Sequence, residues 1–287
     1  MVQFVRLLLI AALLTTGASG LAAQEKTKNK ADTQQTASEP ELDPNDPEDL
    51  EEILFIADDY YFGDTGPVDY AHAFKWYSLA SEGGSAYAMN RLGLMYDNGE
   101  HVEEDLEQAF EWYESAAEAG LPVAMGNVGN MYELGDGPAQ DYQQALAWYR
   151  KGADAGDDYS MLNLGYMFLG GRGVAEDPAE AAAWFQRSAD AGSIEGHWIL
   201  ALRYLYGDGV SMDSQKAADL AYHALINGHQ VARDELREIA TADTSPNFRR
   251  AVQRLLAAGG YYKGSIDGSF GPQTQSALDA AFNSASD

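Results

Sequence analysis

Trp76, Trp112, Trp148 and Trp184 stand 36 residues apart, and other positions keep the same step. Asp69, Asp105, Asp141, Asp177 and Asp213 form one series. Gly63, Gly99, Gly135, Gly171 and Gly207 form a second, and Gly84, Gly120, Gly156, Gly192 and Gly228 a third. A fixed period of this size marks a stacked array, in which each unit buries its apolar face only against its neighbours. From Ser85 to Asn98 the apolar residues Ala88, Leu92, Met95 and Tyr96 recur at helical spacing, and Gly99 stops the run. Asp105 stands where an N-cap belongs. The second helix of the unit runs to about Ala119, with Ala109, Trp112, Tyr113, Ala116 and Ala117 on its buried side. Each unit reads as helix, loop, helix, tight turn, and the fold class as all-α.

The small residues bear on packing. Gly93, Gly129 and Gly165 fall inside the first helices, where glycine costs about 1 kcal/mol relative to alanine. That cost is offset where another helix comes close, and Ala73, Ala109, Ala145, Ala181 and Ala217 offer a matching small surface. The tryptophans, with Tyr77, Tyr113, Tyr149 and Phe185, then fill the space between stacked pairs. They read as core rather than as sugar or cofactor platforms.

Leu92-Gly93-x-x-Tyr96-x-x-Gly99, Asp105-x-x-x-Ala109-x-x-Trp112-Tyr113 and Ala116-Ala117-x-x-Gly120 resemble the Sel-one-like repeat family, a relative of the tetratricopeptide repeats. The resemblance covers about Glu52 to Gly228, five units, with atypical ends: Ala57 and Ala201 replace the mid-helix glycine, and Leu220-Ala221 the aromatic pair. His229 to Asp243 reads as a capping helix, so the solenoid spans residues 49–243. The family implies a right-handed superhelix whose first helices line a concave, protein-binding face. Asn90, Arg91, Asn127, Asn130, Asn163, Tyr166 and Arg203 are the residues of those helices not spent on packing, and so the candidate partner-binding set. Asparagine is a poor helix former; its recurrence there fits a polar binding surface or an ordinary solvated helix.

Beyond Thr244 the period stops. Phe248 to Ala258 is amphipathic, Asp267-Gly268 is a tight-turn pair, and Pro272 suits the first position of a last helix. Val252-Gln253-x-x-Leu256, Gly260-Tyr261-Tyr262-x-Gly264-x-Ile266-Asp267-Gly268-x-Phe270-Gly271-Pro272-x-Thr274 and Ala277-Leu278-x-x-x-Phe282 resemble the small three-helix peptidoglycan-binding domain, here at residues 246–287. The implied ligand is the glycan–peptide polymer of the cell wall. Tyr261 and Tyr262 would supply a stacking face and hydroxyls. Arg249, Arg250, Arg254 and Lys263 would meet wall carboxylates by charge-assisted hydrogen bonds, and Asp267 completes the candidate set. The alternative is that these turn residues are architectural and the unit has no wall affinity.

The chain ends and charge bound the setting. Residues 1–23 read as a signal peptide, with Arg6 ahead of an apolar core, Leu7 to Leu14, and small residues after it. Residues 24–48 read as a disordered acidic linker. There is no cysteine, hence no disulfide, thiol nucleophile or lipidated cysteine. The expected location is the periplasm, as a soluble protein that is not a lipoprotein. A net charge of −27 disfavours nucleic acid as a partner. His72, His101, His197, His223 and His229 lack zincin spacing, and neither a phosphate loop nor a nucleophile elbow occurs. No cofactor or metal is expected, and no catalytic residue. The resulting expectation is a non-enzymatic adaptor that binds peptidoglycan through its tail and an envelope or membrane protein through its solenoid. The alternatives are a hydrolase of cell wall or antibiotic, or a regulator of a membrane sensor kinase.

Overall fold

Five stacked helix pairs and a short C-terminal unit make up the computed structural model, which describes residues 40–239 and 245–284. The expected signal peptide and linker residues 24–39 lie outside the described residues. Thirteen helices and no strand occur among those described. The pairs are α1 (Pro47–Phe62) with α2 (Tyr70–Glu82), α3 (Ala86–Asn98) with α4 (Leu106–Glu118), and α5 (Pro122–Leu134) with α6 (Tyr142–Asp154). They continue as α7 (Asp158–Gly170) with α8 (Pro178–Asp190), and α9 (Ile194–Tyr206) with α10 (Ser214–Ile226). Then follow α11 (Gln230–Ile239), α12 (Pro246–Ala258) and α13 (Pro272–Asn283).

The periodic residues set the helix ends. Each aspartate of the series caps a second helix; the Asp105 carboxylate accepts from Glu107 N–H and Gln108 N–H. Each first helix ends on a left-handed glycine, as at Gly99, φ 69°, a conformation that costs glycine no Cβ clash. Helix α1 opens earlier than the linker was expected to end: Asp46 caps it, and Leu42 already packs on the first core cluster.

The mid-helix glycines have a different partner from the one expected. A Cβ on Gly93 would sit 2.7 Å from Tyr113 Cδ1, one on Gly129 2.7 Å from Tyr149 Cδ1, and one on Gly165 2.4 Å from Phe185 Cε1. These glycines therefore receive an aromatic ring of the paired helix, not an alanine. The tryptophans bridge repeats. Trp112, Trp148 and Trp184 each pack against the core of the preceding repeat. Their outer faces are half-exposed, and Lys151 and Arg187 lie over Trp148 and Trp184 at 3.5 Å and 4.1 Å.

The C-terminal unit shares the core of the last repeat. Ala217, Ala221 and Leu225 of α10, Leu236 of α11, Val252 and Leu256 of α12, and Leu278 of α13 belong to one buried cluster. Helix α10 packs on α12, and α11 on α13. Helix α11 packs on both α10 and α13; the C-terminal unit, expected to hold three helices, has two of its own among the described residues, α12 and α13.

Candidate functional site

The loop between α12 and α13 is built around Gln253, which is fully buried. Its Oε1 accepts from Gly268 N–H at 2.8 Å, and its Nε2 donates to the Ser269 carbonyl at 2.9 Å, with Thr274 Oγ1 and Tyr262 Oη nearby. A buried amide bonded through both its oxygen and its nitrogen fixes a glycine-rich loop that has no helix or strand of its own. Outside this hub lies an open cleft of about 400 Å³ lined by Tyr261, Tyr262, Lys263, Gly264, Pro272, Gln273 and Ser276.

Of the seven residues expected to bind wall material, three line this cleft. Tyr261 and Lys263 offer it a half-exposed ring and an exposed ammonium. Tyr262 is a correction to the expected stacking face: it is buried, and its hydroxyl donates to the Ser265 carbonyl at 2.9 Å. Asp267 is exposed but turns inward on its own loop, accepting from Ser269 N–H at 2.7 Å; that bond, then Gln253, holds its carboxyl below the usual range. Arg250 lies beside Gly268, Arg249 is half-buried, and Arg254 is exposed away from the cleft lining. Gln273 and Ser276, which sequence reasoning missed, are one turn apart at the start of α13.

On the solenoid the expected partner-binding residues are largely engaged within the protein. Asn90 is buried and its Oδ1 accepts from Asn127 Nδ2 at 2.9 Å, tying repeat two to repeat three. Arg91 is enclosed by Tyr61, Phe62 and Tyr87 at 4.9–5.3 Å, and its Nε donates to Tyr87 Oη. Asn163 donates to the Tyr159 carbonyl of its own helix. Tyr166 donates to Glu195 of the next repeat at 3.4 Å. Arg203 pairs with Asp208, and Asn130 is half-buried. The set belongs more to the ties between repeats than to an open surface.

Further ties complete this seam. Tyr61 donates to Glu100 at 2.8 Å and Arg172 pairs with buried Glu133. His229 Nδ1 accepts Ala232 N–H, so Nε2 carries the proton directed at Glu195. His197 and His223 stack at 3.9 Å, and burial, then His197, lowers the His223 pKa. Among the described residues no group of three potential ligands is placed to hold a metal, and no helix is long and apolar enough to cross a membrane.

The comparisons agree with this architecture. The Sel1 repeat model matches residues 55–85, 86–121, 122–157, 158–193 and 194–234. A model described as "Putative peptidoglycan binding domain" matches residues 245–281. A Sel1 repeat protein of Oxalobacter formigenes has a similar structure, with a TM-score of 0.63 and 29% identity over 69% of this chain and 77% of that one. A protective antigen present in uropathogenic Escherichia coli strains, which displays an SLR fold, gives 0.61 and 27% over 84% of this chain; the match spans 55% of the antigen. An immunity protein of Pseudomonas aeruginosa, at 18% identity and a TM-score of 0.53 over 86% and 84%, shares the fold alone. Among curated proteins none matches in sequence. Five matched repeats, in register with the helix pairs seen here, show that the chain belongs to the Sel1 repeat family, with a peptidoglycan-binding-type unit at its C-terminal end.

Proposed function

We propose that the protein is an exported, non-enzymatic adaptor of the periplasm. Its C-terminal unit holds peptidoglycan, and its repeats hold a second protein. The carrying observation is the cleft beside Tyr261 and Lys263. An aromatic face next to an ammonium and the amide of Gln273 suits a sugar ring flanked by a peptide carboxylate. The Sel1 scaffold is an interaction module, which supports the second half of the reading.

The test is sedimentation with purified sacculi. Because the C-terminal unit shares its core with the solenoid, deletion is a poor control, and surface substitutions replace it. The intact chain is expected to pellet with the wall, and a Tyr261→Ala/Lys263→Glu variant to remain in the supernatant. Equal pelleting of both removes the cleft from the reading. Release of soluble wall fragments replaces the adaptor with a hydrolase.

A further inference from the structure

Of the seven exposed large apolar side chains among the described residues, five fall in two registers of the repeat, and Phe55 and Ile266 lie elsewhere. Phe62, Leu134 and Tyr206, exposed by 42%, 40% and 59%, occupy one register, the last residue of a first helix in repeats one, three and five. Val68 and Met212, exposed by 48% and 68%, occupy a second, the residue before the N-cap aspartate in repeats one and five. The first register ends the first helix at the mouth of the loop joining the two helices of a repeat, and the second lies at the loop's far end.

These loops form one continuous edge. A Cβ on Gly137 would meet the Leu106 carbonyl, one on Gly173 the Tyr142 carbonyl, and one on Gly209 the Pro178 carbonyl. Each loop therefore nests on the start of the preceding second helix. Gln143 also donates to the Gly173 carbonyl across the same boundary. Between the apolar positions the edge is acidic. Glu104 and Glu176 stand in the register of Val68 and Met212. From Leu92 to Tyr149 the chain, helices and loops together, carries twelve carboxylates and no lysine or arginine; the cation of the fourth loop, Arg172, is spent on Glu133.

Resting on the reading that the solenoid binds a protein, we propose that this loop edge, not the first-helix face, is the docking surface. Its occupant is an extended polypeptide segment that presents apolar side chains among lysines and arginines. Most of the expected first-helix residues are already engaged within the protein, whereas the loop edge leaves apolar side chains in water beside the exposed carboxylates of Glu104 and Glu176. Charge complementarity selects a basic partner, and the apolar positions fix its register. Neighbouring packed helices lie about 10 Å apart, so anchors two repeats apart are separated by about 20 Å, the reach of roughly six extended residues.

That spacing defines the probe. A fluorescein-labelled peptide of about sixteen residues carries leucine at every sixth position and lysines between. Fluorescence anisotropy against the full chain is expected to show binding. The affinity should fall by about tenfold or more for a Phe62→Ser/Leu134→Ser/Tyr206→Ser variant of unchanged helicity. It should fall similarly when serines replace the peptide's leucines. No binding to the native chain, undiminished binding to the variant, or equal binding of the serine peptide overturns the proposal. Binding lost instead in an Asn127→Ala/Asn130→Ala variant would return the partner to the first-helix face, leaving the adaptor reading intact. Wall sedimentation is read separately and is independent of either outcome.

Discussion

Tyr149 Oη donates to Glu133 Oε2 at 3.0 Å, and both residues are buried. Burial, with Tyr159 and Glu133 adding to it, drives the phenol well above its usual pKa, so the hydroxyl stays a donor. Repeat two repeats the pair less closely, Tyr113 to Asp97 at 3.5 Å. Repeat four replaces it with Phe185 and Leu169, packed in one cluster. A hydroxyl stands where its repeat supplies a carboxylate, and is absent where it supplies a leucine.

Tyr149→Phe should therefore cost about 2 kcal/mol, the usual price of depriving a buried charged acceptor of one hydrogen bond. Glu133→Leu/Tyr149→Phe, which copies repeat four, should cost less than the sum of the single changes. Urea denaturation of the four proteins checks the cycle; strict additivity would contradict the pairing.

Gly165→Ala should destabilise by about 1–3 kcal/mol, because its methyl overlaps Phe185 and overpacked cores relax only in part. Gly66→Ala, where a methyl meets nothing within 4 Å, is the control and should leave the melting temperature near its original value. Thermal melts followed by circular dichroism compare the two.

Removing everything after residue 244 strips α12 and α13 from Ala217, Ala221 and Leu225. The truncated chain should melt earlier, and amide exchange should rise first in α10 and α11. A truncated solenoid as protected as the whole would show the two parts to be independent.

His223 gives a pH dependence. Burial and then His197 hold its folded pKa below the ordinary histidine value of about 6.5, so the unfolded chain takes up a proton first as pH falls. Its contribution is fully present above about 6.5 and is lost on acidification through the lower, folded value. Stability should fall from pH 7.5 to pH 5.5 (roughly one unit either side of that ordinary histidine value), and less steeply in His223→Gln. Equal slopes in both proteins would remove His223 as a source.

The parts of this molecule that sequence makes legible are those decided within one turn of chain. Asp105 caps the helix that starts beside it, and Gly99 adopts the left-handed φ that ends a helix, so both are visible as residue types at a fixed step. Contacts between helices are less visible. Gly165 meets Phe185 because a ring on one helix leans across to the other, which spacing alone does not record. Asn90 and Asn127 are bonded at a separation of 37, one more than the period, so comparing equivalent positions never pairs them. Tyr261 and Tyr262 are adjacent and chemically alike; which one turns inward is decided by Gln253, eight and nine residues away.

The common core of the last repeat and the C-terminal unit also has a mechanical consequence. Leu225, Leu236, Leu256 and Leu278 interlock across it. Load taken up at the cleft beside Lys263 passes into α10 through packed side chains as well as along the backbone. A body gripped at the cleft keeps its loop edge at a set bearing, so whatever rests along Phe62, Leu134 and Tyr206 is held at a defined angle and standoff from whatever fills the cleft.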